Sequence, residues 1–304
     1  MYLNLNKIII HDQINKISPD DWDACVSADA PFSTHAFLSA LEESNCASPN
    51  KGWLPQHVCL YKDEKLIACA PMYLKSHSYG EYVFDWSWAD AYERAGGRYY
   101  PKLQCAIPFT PVTGHRLMCH PNATTEDKTE LLHALIERAK ELNVSSLHIT
   151  FSEEDEWLLM QQNEMLARTG HQYHWHNDNY AQFDDFLAAL SSRKRKNLKK
   201  ERNSVAESGI RFKRLNGDDI QEEHWDKFFE FYLDTSGRKW GHPYLNRLFF
   251  SLLGQKMAKD IVLILAENEG DIVAGALNLK GNETLYGRYW GCLSDYNFLH
   301  FETC

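Results

Sequence analysis

Two short segments of the chain carry side chains suited to general acid–base chemistry. Glu81 and Asp85 lie among tyrosine, phenylalanine and tryptophan residues, and a carboxylate in an aromatic setting can have a raised pKa and act as a base. His300 and Glu302 follow a predicted strand close to Cys304 and are the other candidate bases. Each pair also has a structural interpretation, in which the carboxylates are hydrogen-bonded within a core and Glu302 stabilises the positive end of a helix dipole.

Five aromatic residues surround the two carboxylates of the first segment. They are Tyr82, Phe84, Trp86, Trp88 and Tyr92. We interpret these rings as part of a hydrophobic core, because large aromatic side chains contribute most of their stabilisation when they are buried. The alternative is a wall of aromatic residues that binds a sugar or a peptide.

The densest run of charge lies between Ser191 and Arg202, on about three predicted helical turns. Its cations are Arg193, Lys194, Arg195, Lys196, Lys199, Lys200 and Arg202. One interpretation is a site for an anion, either a substrate phosphate or the backbone of tRNA. The other is a solvated helix that links two halves of the chain.

Three histidines, His171, His174 and His176, look at first like metal ligands. On a strand His174 and His176 share a face, but His171 does not. No cysteine or carboxylate completes the set, so we predict no metal site. The eight cysteines are dispersed, with no Cys-x-x-Cys pair, and we expect reduced thiols packed as small apolar groups. The sequence also lacks a phosphate loop of the Walker type.

Composition narrows the class of protein. The 304 residues are 44% hydrophobic and 24% charged, enough to form about two soluble domains. The net charge of −10 predicts no general attraction to nucleic acid, so we expect no DNA partner and only a local basic site. The start of the chain has too short an apolar run for a signal peptide, and no apolar stretch reaches the ~18 residues of a membrane span. We therefore expect a cytoplasmic protein.

Hydrophobic periodicity predicts a similar order of elements in both halves. In the first half we expect strands at 5–10, 56–62, 66–75, 103–107, 116–119, 147–151 and 165–175, and helices from about 19, at 34–44, 125–142 and 153–162. In the second half we expect a strand at 210–215, two amphipathic helices, strands at 261–266, 272–280 and 285–290, and a helix that starts near Phe298.

The sequence repeats itself weakly in the same order. Asp21-Trp22-Asp23 resembles His224-Trp225-Asp226, and Val58-Cys59-Leu60 resembles Val262-Leu263-Ile264, at nearly the same offset. We therefore predict two related domains, residues 1–182 and 183–304. The first unit continues much farther beyond its hairpin than the second, so we expect the second domain to be cut short at its C-terminus.

Several motifs resemble those of a known family. They are 73–86, 99–102, 108–114, 174–177, 193–196, 239–245, 288–292 and 299–302. Together with the order of elements, they resemble the FemAB-like family of peptidoglycan biosynthesis or recognition proteins, within the acetyltransferase (GNAT) superfamily. The resemblance covers essentially the whole chain. It implies an α+β fold of tandem GNAT-like (acyl-CoA N-acyltransferase) domains.

The resemblance also implies an activity, the transfer of an acyl or aminoacyl group to an amine. Trp240 and Tyr289 lie in two of the matching motifs and are predicted to contact the substrate. We expect a cleft between the halves to hold an anionic acceptor, for which a cell-wall precursor is the candidate. The helix from Arg193 to Arg202 would bind this acceptor, and one of the candidate bases would take the amine proton.

The acyl donor is open at this point. In acetyltransferases the donor pyrophosphate sits on a glycine-rich turn before a helix, but the corresponding turns here, 119–125 and 292–297, contain no glycine. No cofactor is evident, and aminoacyl-tRNA and acetyl-CoA are the two candidate donors. The alternatives to a Fem-like transferase are an acetyl-CoA-dependent N-acetyltransferase and a non-catalytic binding module on a degenerate transferase scaffold.

Overall fold

The computed structural model describes residues 6–238 and 241–304, which form a mixture of α-helices and β-strands. By its internal packing the chain divides into two compact units. Unit 1 comprises Met1–Leu166, Tyr244–Asp260 and Lys280–Leu285, and unit 2 comprises Ala167–Pro243, Ile261–Leu279 and Tyr286–Cys304. The predicted domain boundary between residues 182 and 183 rests on a sequence repeat and stays a prediction.

The strands of unit 1 are short. They are β1 (Lys7–His11), β2 (Trp53–Pro55), β3 (His57–Lys62), β4 (Lys65–Ala70), β5 (Met72–Lys75), β6 (Lys102–Cys105), β7 (Met118–Cys119) and β8 (Leu147–Ile149). In the described part of the chain they form two four-stranded sheets, with orders β1-β3-β4-β7 and β2-β5-β6-β8. The β6–β8 pair is parallel. The predicted strand 66–75 is split at Pro71, which has no N–H for a ladder, so its two parts belong to different sheets.

Two of the predicted helices begin at capping residues that lie close in sequence. They are α1 (Pro19–Asp23), α2 (His35–Glu43), α3 (Trp86–Arg94), α4 (Thr125–Glu141), α5 (Glu154–Gln162), α6 (Phe183–Ala189), α7 (Ser192–Glu207), α8 (Glu222–Arg238), α9 (Arg247–Met257) and α10 (Leu299–Thr303). Ser18 caps α1 by accepting a hydrogen bond from Asp21 N, as expected from the sequence. Thr124 and Asp127 form a reciprocal capping box that starts α4.

The core of unit 1 lies between α4 and the β3–β4 hairpin. Leu131, Leu132 and Leu135 on the predicted apolar stripe of α4 are fully buried, and they pack with Val58 and Leu60 of β3. Burial of each such side chain contributes roughly 1.5–3 kcal/mol. The 3.6-residue period of the sequence therefore identifies the face of α4 that holds the first sheet.

The third sheet lies almost entirely in unit 2 and has the strands β9 (Arg211–Asn216), β10 (Ile261–Asn268), β11 (Asp271–Lys280) and β12 (Leu285–Cys292), in the order β12-β11-β10-β9. Strand β10 pairs antiparallel with both β9 and β11. The apolar stripe of α8 is buried, and Phe228 is completely inaccessible. A Cβ at Gly275 in β11 would lie 3.0 Å from the Phe228 ring, so glycine lets the helix approach the sheet closely.

The two units share a partial topology. The consecutive pairing β1-β3-β4 in unit 1 has the same order as β9-β10-β11 in unit 2. This correspondence agrees with the repeat in the sequence, while the tandem GNAT interpretation stays a prediction.

One predicted strand is wrong. Residues 165–175 contain no strand, and nearly all of them are exposed. Tyr173 and Trp175 alternate with His174 as in a strand, but both rings are exposed, so no packed sheet face stabilises an extended ladder there. Among the described residues, no helix combines the length and apolarity that crossing a membrane would require.

Candidate functional site

Two buried lysines define the polar centre of unit 1. Lys75 ends β5 and Lys102 begins β6, and the register of the two strands places them directly opposite each other. Both ammonium groups are fully buried. Like charges at directly opposed positions destabilise a sheet, and a buried charge needs a counter-charge. The structure must therefore supply acids at this point.

Glu81 and Asp85 supply those counter-charges. Lys102 Nζ donates hydrogen bonds to Glu81 Oε2 at 2.7 Å and to Asp85 Oδ2 at 2.6 Å. It also donates to Ser78 Oγ at 2.9 Å. Tyr99 donates its hydroxyl hydrogen to Asp85 at 2.8 Å. Both carboxylates are buried, so the structure brings these two predicted bases together within an ion network.

Lys75 is held less strongly than Lys102. Its ammonium lies 3.5 Å from the centre of the Trp53 ring and 3.9 Å from Glu81 Oε1, and it donates to the Tyr79 carbonyl at 3.3 Å. Burial, which disfavours the charged form, lowers the pKa of Lys75 to about 7 despite the attraction of Glu81. An amine with this pKa exchanges protons near neutral pH.

The two carboxylates respond differently to their setting. Burial raises the pKa of Glu81 more than Lys102 and Lys75 lower it. Burial also opposes ionisation of Asp85, but the hydrogen bonds from Lys102, Tyr99 and Ser78 outweigh it and lower the pKa of Asp85. Glu81 Oε1 and Asp85 Oδ1 are buried without a hydrogen-bond partner among the described residues. A catalytic role for either acid stays a prediction.

This ion network fixes a segment that has little regular structure of its own. Residues 76–85 contain no strand or helix, and they are anchored through Ser78, the Tyr79 carbonyl, Glu81 and Asp85. A buried ion network of this kind can order a segment whose backbone forms no helix or strand hydrogen bonds.

Gly80 locks the same segment onto the body of unit 1. Its φ is +80°, and an added Cβ would lie 2.5 Å from the Phe109 ring. Phe109 N donates to the Gly80 carbonyl at 3.1 Å. The Phe109 ring also stacks on the Tyr244 ring, with the ring centroids 5.1 Å apart. Only glycine combines the left-handed backbone with this close approach.

The aromatic residues around the network are not core, contrary to the sequence-based interpretation. Phe84 is 74% exposed and Trp86 is 42% exposed. Tyr82, Trp88 and Tyr92 are also exposed. The buried positions of this region are taken by the acids and lysines, so the rings are left at the surface.

In unit 2, six of the seven cations between Arg193 and Arg202 on helix α7 lie in two rows, and Lys194 belongs to neither. Leu198 and Val205 are the less exposed residues that mark its inner face. Arg193, Lys196 and Lys200, at spacings of three and four, lie on the opposite face. All three are exposed, with no hydrogen bond or ion pair to any described residue. We call these three residues the cationic stripe.

The other row of cations stabilises unit 2 itself. Arg195 donates to the carbonyls of Ala188 and Leu190 at the end of α6. Arg202 Nε donates a hydrogen bond to Glu302 Oε1 at 3.0 Å, and Arg202 Nη2 lies 2.9 Å from the same oxygen in an ion pair. The Arg202 guanidinium also lies 4.0 Å from the centre of the Phe183 ring.

Lys199 lies at 3.8 Å from Asp184, a weak ion pair. Arg195, Lys199 and Arg202 were predicted to bind substrate, and that role stays a prediction. The contacts show what they already do within the unit.

The other predicted site residues of unit 2, His300 and Tyr289, contact different neighbours. His300 is exposed and its ring lies 5.2 Å from that of Trp290. The Tyr289 ring contacts the Tyr232 ring at 5.1 Å, and the Arg288 guanidinium lies over it at 4.6 Å. Trp240 lies outside the described residues.

Sequence reasoning missed Lys75 and Lys102. Each is an ordinary residue at the end of a predicted strand, and no local spacing signals their pairing. Of the three histidines at 171, 174 and 176, all are exposed, and the described residues contain no group of three or more His, Cys, Asp or Glu side chains arranged to hold a metal ion.

Comparison with known proteins identifies a family for the sequence. A family model described as FemAB-like, peptidoglycan biosynthesis/recognition, matches residues 13–304. The crystal structure of FemX is similar, with a TM-score of 0.53 at 13% identity, covering 98% of this chain and 84% of that chain. At this identity the likeness shows the fold alone.

Two further solved structures are more distant. A conserved protein of unknown function from Bacteroides thetaiotaomicron VPI-5482 has a TM-score of 0.48 at 13% identity, covering 98% of this chain and 84% of that one. A ribosomal-protein-alanine N-acetyltransferase from Brucella melitensis biovar Abortus 2308 has a TM-score of 0.33 at 10% identity, covering 57% and 97%. No curated protein matches the sequence.

Proposed function

The chain belongs to the FemAB-like family, and from that premise we propose that it transfers an aminoacyl or acyl group to an amine of an anionic peptidoglycan precursor. The observation that carries this proposal is the cationic stripe of Arg193, Lys196 and Lys200. These three cations face solvent and are not used to hold unit 2 together.

The dimensions of the stripe suit a phosphate-containing acceptor. Arg193 and Lys200 are seven residues apart, which corresponds to about 10 Å along a helix. Three cations over this length match a diphosphate or a short phosphate backbone. Because the whole chain has a net charge of −10, the attraction is local to this face.

An aminoacyl-tRNA suits the site better than acetyl-CoA as the donor. The N-terminus of α4 is the position at which a coenzyme pyrophosphate would be expected in unit 1, and its first N–H groups face the capping box of Thr124 and Asp127. Glu126 and Asp127 add negative charge in the first turn. A pyrophosphate would have to displace the cap and approach two carboxylates, which is unfavourable.

His300 is the base that we propose to test first. Imidazole is the side chain most often used as a general base, and His300 is exposed at the start of α10. By contrast Glu302 accepts a hydrogen bond from Arg202 Nε and is ion-paired with the same guanidinium, and Glu81 and Asp85 are buried. These engaged carboxylates would first have to leave their partners.

The engagement of three candidate bases favours a second function, binding of the precursor without turnover. One experiment separates the two. The full chain is incubated with a nucleotide-linked precursor peptide that has a free amine, together with charged aminoacyl-tRNA or acetyl-CoA, and the acceptor is analysed by mass spectrometry.

A mass gain with the charged tRNA, abolished by His300→Ala, supports the transferase. A gain with acetyl-CoA supports the N-acetyltransferase. Saturable binding of the precursor with no mass gain from either donor supports the binding module.

A further inference from the structure

We infer that unit 1 carries a separate binding surface for an uncharged carbohydrate chain, formed by His77, Tyr79 and Trp86 together with Asp90 and Glu93. We call these five residues the aromatic–acidic surface. It extends the proposed function to the sugar part of a peptidoglycan ligand, but it stands on residues that have no part in the cationic stripe.

Three rings of this surface form a continuous row. The Tyr79 ring lies 5.1 Å from the His77 ring and 5.0 Å from the Trp86 ring. Tyr79 is 57% exposed, so the row reaches well out of the core. Aromatic rings of this kind present a flat apolar face with a polar atom at one edge, which matches the apolar face and the hydroxyl rim of a sugar ring.

Two carboxylates continue the row along α3. Trp86, Asp90 and Glu93 are four and three residues apart, a spacing that places them on one face of a helix. Asp90 and Glu93 are exposed, and neither has a hydrogen bond or ion pair to any described residue. Exposed carboxylates are strong acceptors for the hydroxyl hydrogens of a carbohydrate.

The surface is held rigid before any ligand arrives. Lys75 donates to the Tyr79 carbonyl, and Lys102 binds Asp85, the residue immediately before Trp86. These buried contacts hold the backbone at Tyr79 and next to Trp86, the two residues whose rings are in contact. A preorganised surface loses less conformational entropy on binding than a flexible one.

The charge of the aromatic–acidic surface indicates the class of ligand that it binds. The two carboxylates give the surface a negative charge, with Arg94 at its flank, so it should repel phosphates and anionic lipid headgroups. A nucleic acid or an anionic membrane therefore fits poorly. A neutral carbohydrate offers hydroxyl donors to the carboxylates and carbon–hydrogen faces to the rings, and is the ligand class that satisfies both halves of the surface.

The probe is N-acetylchitotetraose, a neutral oligosaccharide of N-acetylglucosamine, titrated into the full chain by isothermal calorimetry. We expect saturable binding. Trp86→Ala should weaken it about three- to tenfold, the range for loss of one aromatic contact. Asp90→Asn should also weaken binding. Phe301→Ala is the matched control, since it removes a ring that is 72% exposed in unit 2, and it should leave the affinity unchanged.

Several results would overturn the inference. These are no binding by the unaltered chain, binding that neither Trp86→Ala nor Asp90→Asn weakens, self-association that Trp86→Ala removes, and binding to phosphatidylglycerol vesicles that Trp86→Ala removes. The triple variant Arg193→Ala, Lys196→Ala, Lys200→Ala should retain sugar binding. Loss of transfer activity in that variant with intact sugar binding therefore separates the two proposals.

Discussion

Lys75 and Lys102 face each other across the β5–β6 pair with both ammonium groups buried. Glu81 and Asp85, in the segment that follows β5, form ion pairs with Lys102 and so compensate for this buried positive charge. The cost of burying two like charges is offset by ion pairs that also fix residues 76–85. The geometry of the aromatic–acidic surface thus depends on a register that joins two separate strands.

The first prediction concerns the ion network. Lys102→Met should destabilise the protein by about 3–5 kcal/mol, because it leaves Glu81 and Asp85 buried without their main counter-charge. Urea denaturation followed by circular dichroism measures the loss. The triple variant Lys102→Met, Glu81→Gln, Asp85→Asn removes the charges together and should recover much of the stability. A triple variant no more stable than Lys102→Met would show that charge balance is not what holds the network.

The second prediction is a pH dependence from Lys75. Its pKa is about 7 in the folded protein, compared with 10.5 for an ordinary lysine. Between these pH values the unfolded chain binds more protons than the folded one, so this group makes stability rise with pH, by up to about 1.4 kcal/mol per pH unit. The stability of Lys75→Met relative to that of the unaltered protein should therefore be greater at pH 6 than at pH 9. Parallel stability profiles for the two proteins between pH 6 and 9 would contradict the shifted pKa.

The third prediction isolates the contact between Gly80 and Phe109. Gly80→Ala should cost about 2–4 kcal/mol, since it combines an unfavourable left-handed backbone with a clash against the Phe109 ring. Gly96→Ala is a matched control, because Gly96 has φ +85° and nothing within 4 Å of an added Cβ. It should cost only about 1 kcal/mol. Equal losses in thermal unfolding would mean that the ring contact is unimportant.

The fourth prediction separates the two rows of α7. Arg202→Leu should destabilise the protein by about 1–2 kcal/mol through loss of the Glu302 ion pair and the Phe183 contact. Arg193→Leu should change stability by less than about 0.5 kcal/mol, because Arg193 has no such partner among the described residues. Chemical denaturation of the two single variants measures the difference. A larger loss for Arg193→Leu would reverse the assignment of the rows.

Local signals in the sequence predict much of the fold. The caps of α1 and α4 involve residues three positions apart, and the apolar stripe of α4 repeats every turn, so both are visible without a structure. The strand predicted at 165–175 failed because aromatic and polar residues there resemble a strand pattern while no partner strand buries them.

The candidate site is less predictable because its contacts are not local. Glu81 and Asp85 stand out as acids among aromatic residues, but their counter-charge comes from Lys102, which only the β5–β6 register brings into reach. The same register decides that the acids are buried and the rings exposed, the reverse of what hydrophobicity suggests. In α7 the sequence shows the cations, and only the contacts of Arg195 and Arg202 show which ones hold the fold.

The most direct test of the account is the affinity of the full chain for a nucleotide-linked peptidoglycan precursor, measured by calorimetry at low and physiological salt. We predict that replacing Arg193, Lys196 and Lys200 with alanine weakens binding by about ten- to a hundredfold and flattens its salt dependence. Lys194→Ala, on the same helix but off the stripe, should leave both nearly unchanged. Equal affinity of the triple variant and the unaltered chain would contradict the proposed role of the cationic stripe.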